Sequence, residues 1–291
     1  DKDAGWWQKI TKKSPKKASN KPLRKNIICL ATLNCNSICA KWLEVEPFIL
    51  KYDIITLTET KLDSHTSNEG IGLDGFCVFR QDRNSHGGEV VTYIRDYLSP
   101  ISLCKLQSKY VKKGCELTLC KLKIDNCYTV VIGIYRPPNA KVTWFETLNE
   151  LILETITIGK VLILGDLNCD LLKNNSITTK LINALKLANS SIQLDCLSPT
   201  RITPTTATCL DLIGIDKSFE ILSYSVDSLS ISDHLPVTAS IEINSKYSLT
   251  PVLRRSFKNV DHRLLNDSLA NISIKRIEGT ADITLIDSVV E

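Results

Sequence analysis

The sequence predicts an α/β fold of mixed β-sheets stacked face to face, with helices outside. Short apolar, β-branched runs separated by polar turns recur from residue 26 onward, the pattern of half-buried strands. These runs outnumber the segments with helical spacing, and the last strands cluster instead of alternating with helices as a parallel βαβ chain requires. A chain of 291 residues with 43% hydrophobic content buries roughly 75% of its extended surface, enough for one large core or two smaller ones.

In chain order, strands are expected at 26–33 and 53–57. The helix expected between them, 40–51, contains Pro47, awkward in a helix interior because it lacks an N–H. Strands follow at 89–94, 116–122 and 128–135. Segment 142–157 places Phe145, Leu148, Leu151, Ile152 and Thr155 on one helical face, and the apolar strand 160–164 comes next. Helical spacing returns at 178–189 with Leu181, Ile182, Leu185 and Leu187. Strands at 207–215, 221–226 and 237–243 complete the pattern, with no internal repeat.

No apolar run approaches the roughly 18 residues that span a bilayer, so no membrane partner is expected, and no signal peptide for secretion is visible. The eleven cysteines are odd in number, lie mostly in apolar stretches and include no C-x-x-C pair. They read as reduced core thiols of an intracellular protein rather than disulfides or a zinc site. The chain has no methionine and begins at Asp1, as expected of a piece of a longer reading frame. Net charge is +4, but residues 9–25 hold eight Lys/Arg and no acid, interleaved with Ser and Pro. That is the composition of a disordered cationic arm suited to a polyanion, nuclear import or plain solvation.

The chemistry-bearing residues fall at strand ends, where a rigid scaffold presents functional groups. The first strand ends in Asn34-Cys35-Asn36 and the second in Thr58-Glu59-Thr60. An Asn and a Glu at adjacent mouths make a hard oxygen site suited to Mg²⁺, although each alone also fits a turn. The apolar run Val161-Leu162-Ile163-Leu164 delivers Gly165-Asp166-Leu167-Asn168. Two residues apart, Asp166 and Asn168 share a face, so one can polarise a water while the other steadies it; the alternative is a turn that caps the strand. Ser232-Asp233-His234 precedes the last strand. An adjacent acid cannot pair well with His234 in extended chain, so its partner is expected elsewhere. Asp211, interrupting an apolar strand, is the candidate.

As an ordered set, Leu33-Asn34-Cys35-Asn36, Glu59-Thr60, Gly87-Gly88, Ile134-Tyr135-Arg136-Pro137-Pro138, Gly165-Asp166-Leu167-Asn168, Pro199-Thr200-Arg201, Leu210-Asp211 and Ser232-Asp233-His234 resemble the endonuclease/exonuclease/phosphatase superfamily. The Tyr-Arg-Pro-Pro and Pro-Thr-Arg variants resemble its non-LTR (LINE-type) retrotransposon branch. The resemblance covers about residues 26–243 and implies a four-layered α/β sandwich, two stacked mixed sheets flanked by helices. It implies metal binding at Glu59, with Asn34 beside it and Asp233 assisting, and Mg²⁺ as the ion, with Mn²⁺ as a substitute. Asp166 and Asn168 would activate and position water, and His234, held by Asp211, would stabilise charge on the phosphate. Tyr135 and Thr200 would hold phosphate oxygens, with Asn36, Arg136 and Ser232 as further phosphate or DNA contacts.

The activity implied is nicking of target DNA for retrotransposition, in the nucleus after synthesis in the cytoplasm, with a reverse transcriptase domain as partner in the full-length parent. The implied organisation is a basic arm at 1–25, the nuclease domain at 26–244 and a linker at 245–291 toward a polymerase absent from this chain. Glu89 stands where the family usually has a third glycine, Leu167 replaces a frequent Phe, and Pro138 precedes Asn139 where DNA-repair relatives place Asn directly after one proline. The last departure argues against abasic-site recognition. Another phosphoesterase of the superfamily and an inactive nucleic-acid-binding relic are the alternatives.

Overall fold

The computed structural model describes residues 26–63, 66–83, 88–192 and 198–244, all within one compact unit spanning 22–250. The expected arm, the expected linker and Gly87 lie outside the described residues. The elements are β1 Ile27–Asn34, α1 Trp42–Ile49, β2 Ile54–Thr58, α2 Asn68–Ile71, β3 Phe76–Gln81, β4 Val90–Arg95, β5 Ile101–Ser102, α3 Cys104–Lys112, β6 Glu116–Ile124 and β7 Cys127–Tyr135. They continue with α4 Trp144–Ile156, β8 Lys160–Asp166, α5 Ser176–Leu187, β9 Ser190–Ser191, β10 Arg201–Ile202, β11 Ala207–Thr208, β12 Asp211–Asp216, β13 Glu220–Val226 and β14 Val237–Glu242.

Two six-stranded sheets form, ordered β13-β14-β1-β2-β4-β3 and β5-β6-β7-β8-β12-β9. Both are mixed: β1–β2 and β7–β8 are parallel, whereas β1–β14 and β8–β12 are antiparallel. Side chains alternate faces along a strand, so each sheet feeds two apolar layers. From β1, Ile28 and Leu30 enter a core shared with Leu162, Leu164 and Ile213 of the other sheet. Ala31 and Leu33 point the other way, against Val45, Phe48 and Ile49 of α1. Outside the second sheet, Leu117, Ile132 and Val161 pack on Tyr110 of α3, Leu148, Leu151 and Ile152 of α4, and Leu181 and Leu185 of α5. Three apolar cores therefore separate four layers, as the resemblance implied.

The inter-sheet layer changes character along its length. Its far end is aliphatic, and its middle is lined by threonines: Thr92 Oγ1 lies 3.0 Å from Thr56 Oγ1 and 2.6 Å from Thr118 Oγ1. Gly133 faces this row because a Cβ there would meet the Thr92, Thr118 and Thr56 hydroxyls at 2.3, 2.5 and 2.9 Å. Beyond the threonines the layer ends in acids, amides and an imidazole.

Some elements differ from the expectation. The 40–51 segment begins as a 3-10 turn, Cys39–Lys41, and continues as α1 with Pro47 inside. The carbonyl that Pro47 leaves without its helical donor belongs to Leu43, a residue 87% exposed. Segment 207–215 is not one strand. Thr200 Oγ1 accepts from the N–H groups of Leu210 and Asp211, bending the chain between β11, which pairs with β10, and β12, which pairs with β8. The expectation of core thiols holds for Cys35, Cys115, Cys120, Cys169 and Cys209, whereas Cys39, Cys104 and Cys127 are exposed.

Candidate active site

Strand register assembles the polar end of the inter-sheet layer. Parallel pairing sets Asn34 beside Thr58, one residue before Glu59, and sets Tyr135 beside Asp166. Antiparallel pairing sets Asp211 beside Asp166. An isolated bridge between Arg201 and His234 brings the last loop to the same mouth.

His234 Nδ1 lies 2.8 Å from Asp211 Oδ2, with both side chains buried. A carboxylate only accepts, so the ring nitrogen facing it carries hydrogen and Nε2 faces away. Burial alone would lower the imidazole pKa, but the Asp211 bond and the surrounding negative charges raise it to about 9. The sequence-based pairing of these two residues is present in the structure.

Asp166 is fully buried. Asn34 Nδ2 donates to its Oδ2 at 2.9 Å and the Asn168 N–H donates to its Oδ1 at 2.9 Å. Burial, reinforced by the Asp211 charge, holds its carboxyl above the usual carboxylate range, the condition of a group able to take a proton near neutrality. Tyr135 Oη donates to Glu59 Oε1 at 3.0 Å. Burial and the charges of Glu59 and Asp166 push the phenol well above its ordinary value, so it stays a donor. The loops of the mouth are bent: Asn36, Ser37, Glu59, Lys61 and Asn168 all have positive φ, between 46° and 88°, a region costly for side chains with a Cβ.

Several expected contacts are placed otherwise. Thr200 is fully buried, donating to Asp211 Oδ2 at 2.7 Å while accepting from two backbone N–H groups. Its one proton is committed, so it orients Asp211 and does not offer itself to a phosphate. Arg136 is 1% exposed and its guanidinium turns inward toward main-chain carbonyls and rings, which removes it from the DNA-contacting set. Asp233 is exposed and pairs with Arg201 at 2.9 Å, outside the carboxylate–imidazole cluster; burial works against its ionised form, but the Arg201 bond keeps its pKa lowered. Ser232 Oγ donates to the Asn34 carbonyl at 2.5 Å and accepts from the His234 N–H at 3.0 Å, tying two mouth loops together. Asn36 is half-buried at the rim, its N–H donating to Asn34 Oδ1 at 3.2 Å.

Two further acids belong to this neighbourhood. Glu89 is 1% exposed and accepts from the Lys61 N–H through Oε2. Glu116 opens β6 opposite Tyr135 and pairs with Arg83 at 2.6 Å. Desolvation, with Glu89 and Glu59 nearby, lifts its pKa to about 7 against the pull of Arg83. The sequence marked Glu89 only as standing in place of a third glycine and passed over Glu116; the signal was an acid opening a strand directly before a buried apolar run.

The donor set fits a hard divalent cation. Carboxylate oxygens of Asp166 and Asp211 lie within 4.8 Å of one another, and Asp211 Oδ1 is buried with no hydrogen-bond partner; His234, protonated on both ring nitrogens, stands beside this pair as a charge and not as a ligand. Glu59 adds a carboxylate beside Tyr135. Oxygen-rich sites of this kind suit ions that keep water and phosphate as remaining ligands.

Solved structures share this fold. The endonuclease domain of TRAS1, a telomere-specific non-LTR retrotransposon, has a similar fold, with TM-score 0.58 and 15% identity over 75% of this chain and 100% of that one. An AP endonuclease from Archaeoglobus fulgidus gives 0.57 and 17%, covering 75% and 100%. The APE2 catalytic domain of Xenopus laevis gives 0.56 and 19%, covering 75% and 94%. No curated protein sequence matches the chain. The model of the endonuclease/exonuclease/phosphatase family matches residues 31–234, and the chain belongs to that family.

Proposed function

We propose that this chain is a Mg²⁺-dependent DNA endonuclease that hydrolyses phosphodiester bonds, nicking target DNA for retrotransposition. The observation that carries the reading is the convergence on one mouth of buried Asp166, the Asp211–His234 pair, Asn168 and the Glu59–Tyr135 pair. Asp166 accepts the proton of an attacking water that Asn168 positions. His234 presents its outward Nε2–H to the phosphate and stabilises charge developing there, while Asp211, steadied by Thr200, fixes the ring. Tyr135, kept protonated, orients the Glu59 carboxylate as it stands and would turn its hydroxyl to a phosphate oxygen when Glu59 holds the metal. Glu59, with Asn34 and the unpartnered Asp211 Oδ1, would hold Mg²⁺ or Mn²⁺, which when bound neutralises the phosphate and stabilises the leaving oxygen.

DNA as substrate is supported by the likeness to a retrotransposon endonuclease and to AP endonucleases. Within the same proposal, residues 26–244 are the nuclease domain, 1–25 an arm toward DNA and 245–291 a linker toward a reverse transcriptase, with action in the nucleus. The similar likeness to AP endonucleases supports a second reading, cleavage at abasic sites. The chain is assayed with Mg²⁺ on intact supercoiled plasmid, a duplex with one abasic site, and a 3′-phosphorylated oligonucleotide. Relaxation of intact plasmid, stopped by EDTA, is expected. Cleavage confined to the abasic duplex or the 3′-phosphate would move the chain to another branch of the family.

A further inference from the structure

Arg136 is a buried cation with no carboxylate partner among the described residues. It is 1% exposed, and its guanidinium lies 5.7 Å from the Trp144 ring and 5.4 Å from the Phe145 ring. Nη2 donates to the Ala140 carbonyl at 2.8 Å and Nη1 to the Pro137 carbonyl at 3.3 Å, while Nε is buried without a partner. A buried charge paired only with carbonyls and rings is costly. An apolar side chain would fill the space without that cost.

The main chain of the same residue touches the site twice. The Arg136 N–H donates to the Asp166 carbonyl at 2.9 Å, and its own carbonyl accepts from Asn168 Nδ2 at 2.8 Å. A backbone carbonyl can only accept, so this bond fixes which end of the Asn168 amide faces inward and leaves Oδ1 as its free acceptor.

We propose that Arg136 is a positioning residue, its guanidinium fork clamping the 136–140 turn so that its carbonyl holds the Asn168 amide oxygen toward the reacting phosphodiester. This rests on the reading of Asn168 as a group that positions water. Arg has the shape for the task, since its planar fork presents donors in fixed directions to two carbonyls, whereas a lysine ammonium is a compact charge whose donors rotate. Arg136 itself touches no substrate.

The test compares wild type with Arg136→Lys, Arg136→Met, Asn168→Ala and the Arg136→Lys/Asn168→Ala double variant. The Asn168 side-chain amide, followed by NMR hydrogen exchange, is expected to be protected in wild type and unprotected in both Arg136 variants at a retained melting temperature. Plasmid nicking is expected to lose on the order of 10-fold to 100-fold in kcat, as small misplacements of a positioning group do, with KM and salt dependence unchanged. Substituting Arg136 in the Asn168→Ala background is expected to cost nothing further. An amide still protected in both variants, or kinetic losses that multiply in the double variant, would overturn the assignment; so would a raised KM with weaker salt dependence, the mark of a DNA contact. Wild type inactive on every phosphodiester would sink the functional reading, while amide protection would still decide the Arg136 clamp.

Discussion

At Thr200 one hydroxyl serves three partners, donating to Asp211 and accepting from the N–H groups of Leu210 and Asp211. Thr200→Val keeps the shape and removes all three bonds, so it is expected to destabilise the fold by about 1–3 kcal/mol and to lower turnover, while Thr200→Ser retains most of both. Urea unfolding at matched pH checks this, and a stability change near zero would show the bonds to be incidental. His234 has a folded pKa raised to about 9 against an ordinary value of 6.5. The stabilisation from its pairing with Asp211 is therefore complete below about pH 6.5 and lost as pH rises through about 9. In EDTA, the urea midpoint is expected to fall across that window, and His234→Gln is expected to flatten the fall; parallel curves would contradict it. Single residues were legible in the sequence where polarity interrupted an apolar run, as at Asp211 and Asp166. Direction was not legible. Arg136 and Thr200 stood as phosphate contacts by resemblance alone, and neither resemblance nor composition says whether a polar side chain turns toward the mouth or back into the core.

The strands position the chemistry, and their packing constrains what they tolerate. Gly133 lies where β7 faces the threonines of β2, β4 and β6. Gly133→Ala is expected to push the sheets apart beneath the site and cost about 1–3 kcal/mol of overpacking. Unchanged unfolding energy in that variant would mean that the threonines simply rotate away. Long buried strands such as β7 and β8 were legible because short apolar runs rich in β-branched residues and bounded by polar turns favour buried strands over helices. β3 and α3 were not, since Phe76 is the only fully buried residue of β3 and Tyr110 of α3. With so little buried surface, their conformation is set by what they pack against. The break between β11 and β12 was illegible for a related reason: the bend is imposed by a hydroxyl ten residues away.

The molecule joins sequence-distant strand ends at one edge of a four-layered sandwich. Stacked mixed sheets followed from strand number and clustering, but sheet order did not. β1 lies between β2 and β14, a pairing across most of the chain that no local pattern encodes. The same long-range closure carries His234 to Asp211 and Ser232 to the carbonyl of Asn34, making one site from loops nearly two hundred residues apart. The chemistry proposed for this site is phosphodiester cleavage with a divalent ion. Its most direct test is nicking of supercoiled plasmid in Mg²⁺ by wild type, Asp166→Ala and His234→Ala, each first shown to be folded. Nicking by wild type, abolished by EDTA and reduced on the order of 10²-fold to 10⁴-fold in both variants, is the predicted result; folded wild type that leaves the plasmid supercoiled, or variants that nick as fast as wild type, would contradict the account.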